Sequence, residues 1–191
     1  SLDDVLAQHA FLRREPGDLA LHTRAGRYGV QGSLVLPTGV GLVVEPGTEL
    51  VFEPRAALVA SGPLELSGTP EQPVVLRGDP TRRDGRWQGV ALLRSPQPSR
   101  WTHVEIRGAT GIDRPGWRLP AALALRSAFL DLEHVRIVDS RARTSVLVES
   151  GQLDARGLAI VASAGTALEL RDSTSTLEDV EVRDAMRNAI E

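Results

Sequence analysis

Leu132-Glu133-His134-Val135-Arg136-Ile137 recurs as Ala155-Arg156-Gly157-Leu158-Ala159-Ile160 and again as Leu177-Glu178-Asp179-Val180-Glu181-Val182, at steps of 23 and 22 residues. A second apolar pair keeps the same rhythm. Leu123 and Leu125 lead to Val146 and Val148, then to Leu168 and Leu170, and the first of them continues to Ile190. Each period therefore holds at least two short segments of alternating polarity. The N-terminal half repeats in the same way: Leu36 and Leu58, Leu42 and Leu64, and Val44 and Leu66 stand 22 residues apart, while Leu50 and Val74, and Phe52 and Leu76, stand 24 apart.

The repeating unit is a strand, not a helix. An amphipathic helix needs apolar residues at i, i+3, i+4 and i+7 over ten or more positions, whereas these segments alternate over three to five residues between turn clusters such as Pro37-Thr38-Gly39, Glu45-Pro46-Gly47 and Ser67-Gly68-Thr69-Pro70. Short strands also build sandwiches and barrels. A constant period with matching side chains one period apart separates this chain from both, because it is what in-register stacking of successive turns of chain produces. The reading is an all-β, single-stranded parallel β-solenoid of about 22 to 24 residues per coil, with neighbouring coils roughly 4.8 Å apart. Its inward ladders are Leu36/Leu58, Leu42/Leu64 and Val135/Leu158/Val180, and one outward ladder runs Glu105, Arg136, Ala159, Glu181, with Glu105 and Arg136 expected to meet as a solvated surface pair.

Residues 1–14 differ. Ser1 and Asp4 have capping-box spacing, and Leu2, Val5, Leu6, His9 and Leu12 share one helical face, which predicts a short N-terminal capping helix with His9 packed on it. Such a helix would cover the open edge of the first coil. Residues 15–191 form the solenoid. The chain stops at Asn188-Ala189-Ile190-Glu191, inside a ladder, so a continuation of the same protein or a partner chain is expected to cover the last coil.

Composition narrows the function classes. The chain has 191 residues, 41% hydrophobic and 25% charged, with net charge −3, as in ordinary globular domains. It has no apolar run long enough to span a membrane and opens on no leader, so any export signal is expected to have been removed. Cysteine is absent, which excludes disulfides, thiolate metal sites and cysteine catalysis. All 22 basic residues are Arg. An acidic chain with a single Tyr lacks the basic, aromatic surface that binds nucleic acid.

The stretches Gly32-Ser33-Leu34-Val35-Leu36-Pro37-Thr38-Gly39-Val40, Val44-Glu45-Pro46-Gly47-Thr48, Gly62-Pro63-Leu64, Gly68-Thr69-Pro70-Glu71-Gln72-Pro73-Val74 and Trp87-Gln88-Gly89-Val90 resemble bacterial right-handed parallel β-helix proteins of the pectate-lyase-like superfamily. The resemblance covers roughly residues 10–191. Around His9-Ala10-Phe11-Leu12-Arg13 and Thr110-Gly111-Ile112 the chain is similar to β-helix regions that accompany spore-coat-H-type kinase domains in secreted bacterial proteins. The resemblance implies a right-handed coil, a secreted or cell-envelope setting, and dealings with polysaccharide as lyase, hydrolase, epimerase or non-catalytic module. Fold analogy does not choose among these.

Chemistry is expected where the repeat breaks. Val104 and Val135 are 31 residues apart, which places an insertion at Gly108 to Pro120. Two further irregular stretches run from Arg77 to Trp87 and from Ser95 to Trp101. Residues 77–118 hold nine Arg against four acids. Guanidinium forks suit carboxylate or sulfate and an indole offers an apolar face to a sugar ring. The candidate binding residues are therefore Arg82, Arg83, Arg86, Trp87, Arg100, Asp113, Arg114 and Trp117, beside the plain alternative that Trp101 and Trp87 are core and many Arg only solubilise.

Catalytic constellations are weaker. Asp113 with Asp139, and Asp172 with Asp184, are the carboxylate pairs that could flank a glycosidic bond. His103 and His134 precede equivalent valines but lack a third ligand for zinc. No metal or cofactor is called for. The expectation is a non-catalytic scaffold with a lateral surface for an anionic polysaccharide or partner; the alternative is a lyase or glycoside hydrolase with a cleft near residues 77–118, and a third class is a stalk for a chemical domain elsewhere.

Overall fold

A computed structural model describes residues 1–82, 85–114 and 116–190. Apart from one short helix, the secondary structure is β, and all but two of the strand pairings are parallel. The chain visits three sheets in a constant order. Ala20–Thr23, Gly26–Val30 and Leu34–Val35 enter the first, second and third sheets in turn; Gly41–Val44, Thr48–Phe52 and Ala57–Ala60 repeat the circuit, and Leu64–Ser67, Val74–Gly78 and Gly89–Leu93 follow. Then come Ser99–Thr102, Val104–Arg107 and Ala121–Arg126; Phe129–Glu133, Arg136–Val138 and Thr144–Glu149; and Gln152–Arg156, Ala159–Val161 and Thr166–Arg171. Thr174–Glu178 and Glu181–Arg183 add to the first two sheets, and Ile190 bridges Leu168 of the third.

Apolar side chains from all three sheets meet in one buried cluster, in which Leu42, Leu64 and Leu66 join Leu50, Phe52 and Leu76 and also Leu58, Leu92 and Leu123. The C-terminal rungs are those the repeat predicts: Leu132 faces Ala155 and Ala155 faces Leu177, while Glu105, Arg136, Ala159 and Glu181 form one column. Leu42 pairs with Leu64 and Val44 with Leu66, as expected. Two other registers differ. Leu34, not Leu36, pairs with Leu58, and Leu50 pairs with Leu76 rather than Val74. In the second case, the loop after Leu66 is longer than its counterpart after Val44. It closes on itself, with the Thr69 amide donating to the Gln72 carbonyl at 3.1 Å and the Gln72 amide to Thr69 Oγ1 at 3.0 Å. Both differences are two residues, and a shift of two keeps every side chain on its own face.

The helix, α1 (Leu2–Gln8), carries the expected capping box, with Asp4 N donating to Ser1 Oγ at 3.3 Å. Leu2, Val5 and Leu6 pack against the core, and Gln8 Nε2 donates to the Gln31 carbonyl at 3.0 Å. The helix ends at Gln8 rather than reaching residue 14. His9 leaves helical geometry and is buried, and burial holds its imidazole below the ordinary histidine range. Pro16-Gly17 then turns the chain, so that Arg13–Arg14 pairs antiparallel with Ala20–Thr23.

Corners between sheets are made by single residues of positive φ, stacked in columns. His103, His134, Gly157 and Asp179 turn the first sheet into the second; Gly108, Asp139, Ala162 and Asp184 the second into the third; Arg94, Ser127, Ser150 and Asp172 the third into the first. Wherever another circuit follows, the corner amide donates to a carbonyl of that circuit: His134 to Arg156 at 2.9 Å, Ala162 to Arg183 at 3.0 Å. Among these corner residues only Gly108 and Gly157 are glycine. A left-handed residue with a Cβ costs about 1–2 kcal/mol, and exposed Ala162 has no polar side chain to offset this. Ala162→Gly is accordingly expected to stabilise the protein by about 0.5–1 kcal/mol. A raised urea midpoint at unchanged m-value is the expected reading; a lowered midpoint contradicts the strain argument.

Candidate functional site

The insertion between Arg107 and Ala121 folds as an antiparallel hairpin, Ile112–Arg114 with Trp117–Leu119, pairing Ile112 with Leu119, Asp113 with Arg118 and Arg114 with Trp117. Its attachment follows from the third sheet, whose outer face is also apolar. Ala57, Val59, Ala91, Ala121, Ala124 and Leu147 form a second buried cluster there, closed by Ile112 and Leu119 with Trp117 packed at its side. A hairpin that exposed Ile112 and Leu119 would not hold together alone; laid on this face it buries both.

The hairpin also reaches back along the stack. Arg114 Nη2 donates to Ser33 Oγ, which itself accepts the Ala57 amide at 3.0 Å. Gln88 Nε2 donates to the Asp113 carbonyl at 3.0 Å, and the Gly111 amide to the Gln88 carbonyl at 3.0 Å. Between hairpin and sheet lies an open depression of about 800 Å³ lined by Arg55, Gln88, Asp113, Arg114, Trp117 and Arg118. A smaller one, about 340 Å³, adjoins it and shares Arg55, Gln88, Asp113 and Arg114.

Electrostatically the depression is positive. Arg118 Nε is 2.8 Å from Asp113 Oδ1, an exposed pair, whereas Arg55 and Arg114 have no ion-pair partner among the described residues. Gln88 is only 7% exposed; its Oε1 and Arg114 Nε are buried with no hydrogen-bond partner among the described residues.

The expected site residues fall in several places. Asp113, Arg114 and Trp117 come together here. Arg82 and Arg86 line another depression, about 380 Å³, with Arg77, Arg107 and Asp139. In that depression Arg107 is held protonated by its bond to Glu105, and Asp79, near Arg82, lies below the usual carboxylate range because the Thr81 hydroxyl and amide donate to it. Arg100 stands on the first sheet between Glu65 and Asp131, 3.9 Å from the latter. Trp87 is not available to a sugar: it is fully buried, stacked on Phe52 at 4.2 Å, with Nε1 donating to the Arg107 carbonyl. Trp101 is core, in register with Leu66 and Leu132. Arg83 lies outside the described residues.

Arg55, Gln88 and Arg118 complete the depression. Arg118 lies inside the insertion itself. Gln88 had a signal, as a polar residue in an otherwise apolar run from Trp87 to Leu93; Arg55 had none, because nothing local places it beneath a hairpin that starts at Ile112.

The carboxylate pairs do not assemble. Asp113 faces Arg118 over the third sheet, while Asp139 is 2.9 Å from Arg141 at a corner that opens on the other depression. Asp172 and Asp184 occupy different corner columns. His103 and His134, by contrast, are neighbours, with rings stacked at 4.8 Å and 15°. Among the described residues no group of three or more His, Asp or Glu is placed to hold a metal ion. Glu105, expected in a solvated pair with Arg136, is buried and also bonded by Arg107, with Arg136 at 3.5 Å. Among the described residues no helix is long and apolar enough to cross a membrane. No family model matches the chain, and no curated protein or solved structure shows a significant match to it.

Proposed function

We propose that this chain is a right-handed parallel β-helix module of a secreted or cell-envelope protein, a rigid scaffold that binds an anionic polysaccharide in the hairpin depression. The constant order of three parallel sheets and the stacked corner columns support the coil. The observation that carries the binding role is the convergence of Arg55, Arg114 and Arg118 with the Trp117 indole on one open depression. Unpaired guanidiniums favour planar anions bidentately, and a half-exposed indole packs against a sugar face.

Light scattering after size exclusion, on mixtures with acidic and neutral polysaccharides, tests this. Acidic polymer is expected to carry protein with it, less so at high salt, and its mass is expected to stay constant. Failure of every acidic polymer to carry protein at low salt contradicts the proposal. Trp117→Ala is expected to weaken this capture about tenfold while costing no more than about 1 kcal/mol of stability. A binding loss that merely tracks unfolding removes Trp117 from the site. A falling polymer mass instead marks a depolymerase and turns attention to Asp131 and Asp154. These acids are in-register neighbours on the first sheet, at a depression they share with Glu133, Arg156, Thr176 and Glu178.

A further inference from the structure

We propose that the depression at the corner between the second and third sheets binds a phosphoryl dianion, as a site separate from the hairpin depression, with which it shares no lining residue. Its walls are Arg77 and Arg107 of the second sheet, Arg82 and Arg86 of the loop before Trp87, and Asp139 at the corner. Gly78 and Gly85 bring the ends of that loop together. A Cβ on Gly78 would lie 1.9 Å from the Gly85 carbonyl oxygen, and one on Gly85 would lie 2.2 Å from that of Asp79, so glycine at both positions returns Arg86 to the wall that Arg77 lines. The guanidiniums are open to solvent: the Arg77, Arg82 and Arg107 side chains are 29%, 60% and 50% exposed, and Arg86 is exposed as well. A ligand can reach all four.

Positive charge is left over at this corner. Glu49 serves both Arg27 and Arg77, at 3.6 Å each, and Glu105 serves both Arg107 and Arg136. Asp79 faces Arg82 at 3.6 Å, Asp139 is taken up by Arg141 at 2.9 Å, and Arg86 has no ion-pair partner among the described residues. Seven guanidiniums thus share four carboxylates; Arg83 and Asp84, outside the described residues, add one charge of each sign. Arg77 and Arg107 are in-register neighbours on one column, a juxtaposition of like charges that costs stability and that an anion lying against both relieves. Donors are left over too. Among the described residues, the one hydrogen bond that the four lining arginines donate from their side chains runs from Arg107 Nε to Glu105, so their terminal nitrogens are available as forks for phosphoryl oxygens. The surplus selects among anions. A carboxylate and a sulfate ester each carry one negative charge, whereas a phosphoryl group carries close to two at neutral pH, and Coulomb attraction to a multiply positive corner favours the dianion.

Titrating the wild-type protein with glucose 6-phosphate, inorganic phosphate and D-glucuronate at matched ionic strength, followed by the chemical shifts of the Gly78 and Gly108 amides, tests this at the corner itself. At pH 7.5 glucose 6-phosphate is expected to bind there about tenfold or more tighter than glucuronate. Lowering the pH to 5 is expected to weaken it about tenfold, because the phosphoryl group then loses most of its second charge while the arginines keep theirs and no histidine is among the described residues that line the depression. Arg86→Gln removes a guanidinium without leaving an acid unpaired and is expected to lower glucose 6-phosphate affinity about tenfold. Arg13→Gln, the same charge change on the N-terminal edge strand, is expected to leave that affinity unchanged. Either order of glucose 6-phosphate and inorganic phosphate supports the site and tells whether an ester or the free ion is its source. Glucuronate binding as tightly as glucose 6-phosphate, equal losses in the two variants, or no shift of these amides with either phosphate overturns the proposal. Capture of acidic polymers at the hairpin is a separate result, so the two readings fail independently.

Discussion

Leu158→Asp is expected to abolish the cooperative unfolding transition and leave a chain without native β signal in circular dichroism. Leu158 is 0% exposed and belongs to the central apolar cluster, in the column that Val135 and Val180 occupy on either side. Its backbone is fixed: Gly157 turns the corner just before it, and its carbonyl accepts the Glu181 amide at 2.8 Å. An aspartate there cannot swing to solvent without breaking that stack. Truncation to alanine at such a site costs about 2–5 kcal/mol; an unpaired carboxylate adds a desolvation penalty of several kcal/mol more. Together these rival the about 5–15 kcal/mol that holds a typical domain folded. Ala159→Asp is the internal control. Its position is in register with Arg136 and Glu181 on the outward column, so it is expected to change the unfolding free energy from urea titration by no more than about 0.5 kcal/mol. Two variants with equal loss would contradict the assignment of inward and outward columns.

The ease with which these columns could be read from sequence differed along the chain, for a physical reason. Between residues 123 and 182 the circuits are nearly equal in length, so apolar side chains recur at a nearly fixed step and alignment finds the true rungs. Nearer the N-terminus the loops differ in length, and alternation offers no defence against a slip of two; Leu36 and Val74 were therefore matched to the wrong partners. The corner columns were hidden for another reason. Asp, Ser, His, Arg and Ala fill most of these positions of positive φ, and none of them marks that conformation in a sequence as glycine does; amide bonds to the next circuit hold them there.

The candidate site followed the same division. Asp113, Arg114 and Trp117 are local to one insertion and could be found as a break in the repeat. Arg55 and Gln88 meet them only because the hairpin folds back over earlier circuits, a fact that depends on the second apolar face of the third sheet. Trp87 illustrates the converse. Beside an irregular, Arg-rich loop it stood as a candidate for a sugar face with a core position as the alternative, and the alternative holds: its ring stacks on Phe52, a core residue of the preceding circuit.

Close backbone packing gives the second large effect, and it concerns Gly165. A Cβ built on this residue would lie 1.9 Å from the Arg143 carbonyl oxygen and 2.5 Å from its carbon. The obstacle is backbone, so no side chain can rotate away. Nor can the carbonyl retreat freely, because it accepts the Thr166 amide at 2.9 Å where Thr166–Arg171 enters the third sheet. The adjoining residues are also fixed, with Ser163 Oγ 2.8 Å from Ser145 Oγ. Relief therefore requires the two circuits to separate at this corner, which disturbs Ala142 and Leu168 in the core below. Gly165→Ala is expected to cost about 3 kcal/mol, at the upper end for forced overpacking, and Gly165→Val to prevent folding. Gly29 supplies the comparison: it lies in a strand, lacks positive φ and has no atom within 4 Å of a built Cβ. Gly29→Ala is expected to leave the urea midpoint unchanged or slightly raised, since alanine lowers the entropy of the unfolded chain. Equal midpoints for Gly165→Ala and Gly29→Ala would show that the Arg143 corner yields, and that contact between successive circuits is looser there than the 1.9 Å approach requires.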